Sequence, residues 1–517
     1  MIAKVSALPK GLPKKTESLC PECKRIISAT IFESDGKVLM EKDCPEHGKI
    51  TDIYWSDVDL YLKAERFAFD GVGVTNPAIP DAKVCPNECG LCQIHLSHTS
   101  LANLDLTNRC NLKCPICFAN ANQAGYVFEP SFEQVTEMLQ TLRAERPVPC
   151  PAVQFAGGEP TIYPRFVDAI AKAKELGVTQ IQVATNGIRF ADDIDFLQAS
   201  TNAGLNTIYL QFDGLDDNVY LMARGKKLLA TKLKCIENVR AIDPRPSIVL
   251  VPTVVKGVNS DQVGDIFRFA LKNRDVIRGI NFQPVAFTGR INQEERAKQR
   301  YTLTDLAMDL EKQLDGQITK DDWYPVPSVV PISTLASALL GEEKVAFTAH
   351  PHCGLATYLF VSDKGEVVPL TRFVDVEPLF RELYEISLKA EKSKVKFPSK
   401  LKAYNALKRN IHEDRMPNGL DLKMFLELLG SVMGDSSKKS VAKFSWNMMF
   451  IGGMHFQDDY NYDIERVKRC CIHYAVPDGR IIPFCAYNGV PTYRTEVEKK
   501  FAIPLEEWRK RHGTEYT

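Results

Sequence analysis

The sequence predicts an α/β fold whose centre is a parallel β/α barrel or part of one. Apolar runs of strand length alternate with amphipathic patterns of helical length between residues 99 and 300, which is the order expected when helices connect parallel strands. The turns after these runs are rich in glycine and polar residues, and parallel barrels build their sites at that edge of the sheet. A cluster of cysteines occupies the first of these turns.

Six runs have the length and composition of strands. They span residues 103–107, 152–156, 181–184, 207–212, 248–254 and 279–283. Helical periodicity covers residues 164–176 and 228–239, and Ser131 with Gln134 has the spacing of a capping box at the start of an earlier helix. These elements give the repeating strand–helix order of a partial barrel.

Composition limits the classes of function. The chain has 517 residues, which is too long for one core, and equal numbers of basic and acidic residues (65 each) leave no net charge to favour nucleic acid as a partner. The N-terminus has no apolar segment typical of a signal peptide, and no apolar run reaches the roughly 18–20 residues of a membrane-spanning helix. We therefore expect a cytoplasmic protein, in which 15 cysteines indicate metal binding more than disulfides.

The first metal motif lies in residues 1–62. Cys20 and Cys23 form one knuckle, and Cys44 with His47 forms the second. Three thiolates and one imidazole suit zinc, or iron in a rubredoxin-like site. Alternating residues on both sides of Asp35-Gly36 predict a β-hairpin between the knuckles, so we expect a small rubredoxin- or zinc-ribbon-like module.

The strongest motif is Cys110-x3-Cys114-x2-Cys117, which follows the first predicted strand. Three cysteines leave one iron of a four-iron cube without a protein ligand, whereas clusters that only transfer electrons normally have four. An open iron can be chelated by the amino and carboxylate groups of S-adenosylmethionine (SAM). An electron from the reduced cluster then breaks the bond between the SAM sulfur and C5′.

The turns after the next strands distinguish this motif from a second one with the same spacing. Gly157-Gly158-Glu159 follows the second strand, Thr185-Asn186-Gly187 the third, and Asp213 the fourth. Together with the cysteine loop, these segments resemble the radical SAM superfamily. The resemblance implies a partial (β/α)6 TIM-like barrel over residues 99–300, in which Gly157, Gly158 and Glu159 hold the SAM amino group. Asn186 and Asp213 are either contacts to the SAM ribose or carboxylate, or caps of strand-end turns.

Two further groups of cysteines are candidates for auxiliary [4Fe–4S] clusters. One lies in a loop within residues 63–98 and the other in residues 301–517; their members are Cys85, Cys89 and Cys92, and Cys353, Cys470, Cys471 and Cys485. Two closed clusters need eight ligands, so either one iron is open or a histidine such as His352, His455 or His473 completes the set. Zinc is the alternative for the first group. We expect three [4Fe–4S] clusters, one mononuclear zinc or iron site, and a C-terminal auxiliary-cluster domain.

Almost the whole chain is similar to the archaeal tetraether lipid synthases, including residues 449–463, Arg466 and Cys470; Gln457 stands where relatives are expected to have methionine. This resemblance implies coupling of terminal methyl carbons in an archaeal diether phospholipid, an apolar tunnel near residues 446–450, and a reductant such as ferredoxin. It also implies peripheral contact with the inner face of the membrane. For that contact, residues 389–409 offer eight basic residues and one acidic residue, although a solvated helix face explains them equally. The alternative function is a radical SAM methylase acting on a pterin.

Overall fold

A largely parallel sheet of thirteen strands forms the centre of the protein in the computed structural model. The structure describes residues 2–289, 291–362, 364–423, 425, 448–489 and 493–515. In chain order the strands are β1 (Lys4–Val5), β2 (Lys14–Leu19), β3 (Ile26–Ser34), β4 (Lys37–Cys44), β5 (Gly48–Trp55), β6 (Phe69–Asp70), β7 (Leu101–Thr107), β8 (Tyr126–Val127), β9 (Ala152–Gly157), β10 (Gln180–Thr185), β11 (Thr207–Gln211), β12 (Ser247–Val251), β13 (Thr253–Val254), β14 (Ile277–Pro284), β15 (Tyr324–Pro325), β16 (Gly354–Val361), β17 (Val367–Pro369), β18 (Met448–Met454), β19 (Ile472–Ala475), β20 (Ile481–Pro483) and β21 (Ile503–Pro504).

The α-helices of the described residues connect and flank these strands. They are α1 (Val58–Glu65), α2 (Phe132–Ala144), α3 (Phe166–Glu175), α4 (Ile188–Asp192), α5 (Ile194–Ala203), α6 (Asp217–Arg224), α7 (Leu229–Ala241), α8 (Val263–Lys272), α9 (Arg296–Gln299), α10 (Leu303–Gln313), α11 (Val330–Leu340), α12 (Val376–Lys392), α13 (Phe397–Asn410), α14 (Ile464–Lys468), α15 (Phe484–Asn488), α16 (Tyr493–Phe501) and α17 (Leu505–His512). The predicted capping box is present, because Ser131 Oγ accepts from the Gln134 amide at 3.3 Å and Gln134 Oε1 accepts from the Ser131 amide at 2.9 Å. In the described part of the chain, none of the helices has the length and apolar character needed to span a membrane.

Six neighbouring strands of the central sheet run parallel, in the order β7, β9, β10, β11, β12 and β14. Each overlaps one of the six strands predicted from the sequence, and at least one helix lies between successive members. The predicted α/β fold is therefore confirmed.

The residues beyond 301 extend the same sheet at both edges. β18 pairs in parallel with β14, and β19 pairs in parallel with β7. β16 then lies antiparallel to β18. The sequence treated residues 301–517 as a separate region because the partners of these strands are far away along the chain, where local patterns carry no information about pairing.

The two faces of the sheet differ in polarity, as alternation along a strand requires. In β7, Leu104 and Leu106 are fully buried in the main apolar core. Asn103 points to the opposite face, where its Oδ1 accepts from Gln154 Nε2 at 2.6 Å, and Gln154 Oε1 accepts from Gln182 Nε2 at 2.8 Å. A row of amides across β7, β9 and β10 therefore lines the inner face of the barrel.

A separate four-stranded antiparallel sheet, β2 to β5, contains the first metal motif. Its β3–β4 hairpin turns at Asp35-Gly36, where both residues have positive φ (51° and 73°), as a two-residue hairpin turn of this kind requires. The predicted hairpin between the two knuckles is confirmed.

Candidate active site

A cavity of about 580 Å³ opens at the carboxyl ends of the parallel strands, the edge at which barrels of this kind place their ligands. Two of the predicted cysteine groups share its wall. The cavity is lined by Cys110, Cys114, Cys117, Cys353, Cys470, Cys471 and Cys485. The structure thus brings together side chains that are up to several hundred residues apart in sequence.

The first group lies in the loop that follows β7. Asn122 fixes this loop, because its Oδ1 accepts from the Cys110 amide at 2.9 Å and its Nδ2 donates to the Cys110 carbonyl at 2.7 Å. Cys110, Cys114 and Cys117 are all half-buried. Burial raises the pKa of the Cys110 and Cys114 thiols, so their thiolates need a cation such as iron beside them.

Two glycines, the last residue of β9 and the one after it, bring the next loop against the backbone that precedes Cys110. A Cβ atom at Gly157 would lie 2.3 Å from the Thr107 carbonyl oxygen, and one at Gly158 would lie 2.1 Å from the Arg109 carbonyl oxygen. The amides of Gly158 and Glu159 donate to these same carbonyls at 2.7 and 2.9 Å. Only glycine fits this contact, so the Gly-Gly-Glu segment and the cysteine loop form one rigid wall of the cavity.

The Glu159 carboxylate is bound by protein donors. Oε1 accepts from the Thr161 amide at 3.2 Å, from Thr161 Oγ1 at 2.6 Å and from Thr185 Oγ1 at 2.7 Å, while Oε2 accepts from the Asn186 amide at 2.9 Å. The residue lines the cavity but is only 1% exposed. Its carboxylate is therefore placed to organise the loop, whereas the sequence assigned it to the SAM ammonium.

Asn186 connects that turn to the cysteine loop. Its Nδ2 donates at 2.6 Å to Oδ1 of Asn111, the residue that follows Cys110. Its Oδ1 accepts from the Ile188 amide at 3.0 Å. Both alternatives from the sequence thus keep support: the side chain caps its own turn and also lies in the cavity wall.

Asp213 is fully buried below the cavity. Its carboxylate forms a two-bond ion pair with Arg224, from Nε at 2.8 Å and from Nη2 at 2.7 Å, and also accepts from Gln211 Nε2 at 2.6 Å. A direct contact between Asp213 and SAM would require this pair to break. The burial and pairing of Asp213 are those of a residue that positions others.

Two cations of this network were missed by the sequence analysis. Arg224, at the end of α6, donates from Nη1 to the Ile116 carbonyl at 2.9 Å, inside the cysteine loop. Lys232, on α7, is fully buried and donates to the Asn186 carbonyl and to Gln211 Oε1. Burial lowers the pKa of Lys232 to about 8. Two buried cations below three half-buried thiols fit an anionic cluster with one open iron. In the sequence, each of these cations is simply a charged residue within a predicted helix, which does not distinguish it from a solvent-exposed one.

The auxiliary cysteines divide between the cavity wall and a neighbouring loop. Cys85, Cys89 and Cys92 lie outside the wall, but Cys89 packs in the same apolar cluster as Cys470 and Cys485. Thiols bound to different irons of a cube stand further apart than ligands of a single ion. The packing of Cys89 with Cys470 and Cys485 brings the two groups to one region of the fold, and both stay candidates for clusters.

Arg466 provides a positive charge next to the cysteines in the wall. Its Nε lies 3.4 Å from Cys353 Sγ, and Nη2 donates to the His455 carbonyl. Of the three histidines proposed as further ligands, His352 stacks on Tyr61 with ring centroids 3.9 Å apart, and His473 Nε2 lies 3.1 Å from a nitrogen of His95. His455 lines the cavity, and its buried Nε2 has no partner in the described chain.

The N-terminal motif forms a compact set of four ligands. The ligand atoms of Cys20, Cys23, Cys44 and His47 all lie within 4.8 Å of one another. Backbone amides, first that of Glu46, lower the pKa of the Cys44 thiol to about 6, which favours the thiolate that a metal requires. These residues fit one zinc ion, which is one of the two metals that the sequence left open.

Two family models match the chain. One is described as the radical SAM superfamily and matches residues 104–270; the other is described as an HMPTM N-terminal zinc ribbon domain and matches residues 12–56. The first covers the cysteine loop and the Gly-Gly-Glu segment, and the second covers the four-ligand set.

Several known proteins are similar to this chain. A Methanocaldococcus jannaschii protein named 7,8-dihydro-6-hydroxymethylpterin dimethyltransferase is 49% identical over 97% of this chain and 98% of its own length. A GTP 3′,8-cyclase of Limosilactobacillus fermentum is 28% identical over 41% of this chain and 60% of its own length. Among solved structures, Streptococcus suis SuiB bound to S-adenosylmethionine has a TM-score of 0.32 and 18% identity over 43% of this chain and 48% of its own.

Proposed function

We infer a methyl transfer to a pterin from one premise: the chain belongs to the radical SAM superfamily and to the family of its 49% identical archaeal relative. We propose that the protein methylates a reduced pterin, which is the alternative that the sequence left open. The observation that carries this proposal is the near full-length similarity to a protein named as a pterin dimethyltransferase.

The same comparison contradicts the expected coupling of archaeal diether phospholipids. That expectation depended on the whole-chain resemblance and on the auxiliary cysteines, and neither distinguishes a lipid from a pterin. The diether phospholipid is withdrawn as a partner, and the peripheral membrane contact of residues 389–409 is withdrawn with it. Trp446 and Asn447, expected to line an alkyl tunnel, lie outside the described residues.

The residues around the cavity support a radical SAM reaction. Cys110, Cys114 and Cys117 would hold the cluster, and the cradle of Gly157, Gly158 and Asn186 would hold SAM. When bound, the reduced cluster and one SAM would supply a 5′-deoxyadenosyl radical and methionine. The methyl group would come from a separate donor, either a further SAM, which leaves as S-adenosylhomocysteine, or a reduced one-carbon carrier. Glu159 keeps the SAM-binding turns in place, and Arg224 holds the cysteine loop while partly balancing the charge of the thiolates.

The remaining cofactors are part of the proposal. The ribbon of Cys20, Cys23, Cys44 and His47 would bind one zinc, and the other seven predicted cysteine ligands would hold two auxiliary [4Fe–4S] clusters with His455 as the candidate eighth ligand. A low-potential protein such as ferredoxin would supply the electrons.

Mass spectrometry of the pterin tests the proposal. The reconstituted enzyme is incubated anaerobically with reductant, SAM and 7,8-dihydro-6-hydroxymethylpterin, and the product is expected to gain one or two methyl groups. The variant with Cys110, Cys114 and Cys117 all replaced by alanine is the control and should give none. An unmethylated pterin, with 5′-deoxyadenosine formed only when a diether phospholipid is supplied, would overturn the assignment.

A further inference from the structure

The wall of the cavity between β14 and β18 carries an amide that forms no hydrogen bond with the described residues. Asn281, on β14, lines the cavity and is 8% exposed. No hydrogen bond connects its side chain to any group of the described chain, although neighbouring amides on β7, β9 and β10 all pair with one another. A buried amide without a partner is costly, so this group is expected to meet a ligand.

An aromatic ring lies beside that amide. Asn281 pairs in register with Gly452 on β18. A Cβ atom at Gly452 would lie 2.5 Å from Phe450 Cζ, so the ring of Phe450 extends over the glycine and toward the level of Asn281. Gly279, one pleat before Asn281, leaves room for the same side chain, since a Cβ there would lie 3.2 Å from Phe450 Cβ.

A hydroxyl group completes this wall. Tyr209 lies on β11 and points into the barrel at the level of Gly279, because Tyr209 pairs with Val249 and Val249 pairs with Gly279. Burial raises the pKa of Tyr209 to about 12, so its hydroxyl remains a donor at neutral pH. It has no hydrogen-bond partner in the part of the chain that the structure describes.

The free polar groups of this wall are neutral. The carboxylates that line the cavity in the described residues are those of Glu159 and Asp322. Glu159 accepts four bonds from its own loop and from the end of β10 and the loop after it, and Asp322 is paired with Arg372 at 2.7 Å. The two arginines of the described chain that line the cavity, Arg224 and Arg466, face Asp213 and Cys353. A ligand at Asn281 therefore meets neutral donors and acceptors next to an aromatic face.

We propose that the heterocyclic ring of the substrate binds at this wall, stacked on Phe450 and hydrogen-bonded by Asn281 and Tyr209. The proposal rests on the pterin function proposed above and names the residues that select the substrate. An amide offers one acceptor and two donors, which match a planar ring with adjacent donor and acceptor atoms. An alkyl chain has neither, and would leave the amide unpaired.

Binding measurements on the reconstituted holoenzyme test this assignment. With SAM present and without reductant, the dissociation constant of 7,8-dihydro-6-hydroxymethylpterin is measured for the wild type and for Asn281→Leu, Tyr209→Phe and Phe450→Leu. Loss of the Asn281 amide should weaken binding by roughly ten- to a hundredfold, and loss of the Tyr209 hydroxyl by about three- to tenfold. The dissociation constant of SAM, measured in parallel, should not change and reports an intact fold.

Tyr61→Phe is the matched control. Tyr61, on α1, does not line the cavity, and its buried hydroxyl also lacks a partner in the described chain. Removing this hydroxyl should leave pterin binding unchanged. If Asn281→Leu does not fold, Asn281→Ser keeps a small polar group but withdraws the amide.

The outcomes separate the two proposals. If the wild type binds the pterin and all three variants bind it equally well, the assignment of this wall is overturned while the proposed function stands. If the wild type binds no pterin, the proposed function fails and the assignment fails with it.

Discussion

The backbone amide of Asn186 donates to Oε2 of Glu159 at 2.9 Å, and this bond joins the two loops that the sequence assigned to SAM. The Asn186 carbonyl accepts from Lys232, and the Asn186 side chain donates to Asn111 in the cysteine loop. Glu159 therefore lies at the centre of a buried network that reaches from the Gly-Gly-Glu segment to the cysteines. Its influence on SAM is expected to pass through the position of Asn186.

Replacing Glu159 by alanine should weaken SAM binding and also lower the stability of the fold. The change leaves the Thr185 hydroxyl and the Asn186 amide buried without their acceptor, which costs about 1.5–3 kcal/mol. Isothermal titration with SAM and thermal unfolding measure the two effects. Thr185→Val removes one of the four donors and also the acceptor of the Gly187 amide, and should cost about 1–2 kcal/mol. Unchanged SAM affinity and unfolding temperature in Glu159→Ala would contradict the network.

Lys232 should make the stability of the iron-free protein depend on pH. Burial lowers its pKa from 10.5 to about 8, so between these values the unfolded state holds a proton that the folded state has released. The contribution of Lys232 is therefore most unfavourable below about pH 8, and stability should rise by up to about 3 kcal/mol as pH increases toward 10.5.

Unfolding temperatures of the wild type and of Lys232→Met, measured from pH 7 to pH 10, check this effect. The advantage of the methionine variant should shrink as pH rises. Lys234→Met, at an exposed lysine of the same helix, is the control and should follow the wild type. A constant difference between the wild type and Lys232→Met at every pH would count against a titrating Lys232.

The sequence predicted what local patterns determine, and it missed what distant pairing determines. Strand-length runs and turn residues predicted six of the parallel strands, and Asp35-Gly36 predicted its hairpin, because these signals lie within a few neighbouring residues. The role of Asp213 depends on Arg224, which lies on the following helix and faces it only in the fold. A polar residue at a strand end looks the same in sequence whether it meets a ligand or an internal partner.

The sequence predicted less of the function than of the fold. The cysteine spacing and the Gly-Gly-Glu segment predicted the superfamily because that chemistry needs three thiolates and a backbone cradle. Nothing in those residues describes the substrate, which meets other parts of the cavity such as Asn281 and Phe450. Pairing between β14 and β18 places Asn281 opposite Gly452, over which the Phe450 ring extends, and no local pattern predicted this pairing.

Loss of one ribbon ligand should release one metal ion without affecting the clusters. Cys23→Ala removes a thiolate whose Sγ lies 3.8 Å from that of Cys44, and three remaining ligands hold zinc weakly. Elemental analysis should show the loss of about one zinc per chain with iron unchanged. Cys150→Ala changes a buried cysteine that belongs to none of the metal groups, and should keep the zinc; equal zinc in the Cys23 variant would refute the site.

The two groups of cysteines that share the cavity should have separable effects. Reconstituted protein is expected to contain on the order of twelve irons and one zinc, from three cubes and the ribbon. Replacing Cys110, Cys114 and Cys117 by alanine should remove about four irons and abolish 5′-deoxyadenosine formation, because no cluster with an open iron remains.

Replacing Cys353, Cys471 and Cys485 should also lower the iron content while SAM cleavage continues, since the SAM-binding loops do not depend on these residues. Iron analysis, Mössbauer spectra and 5′-deoxyadenosine yields distinguish the two variants. A wild-type iron content near four would remove the auxiliary clusters, and SAM cleavage that persists without Cys110, Cys114 and Cys117 would contradict the assignment of that loop.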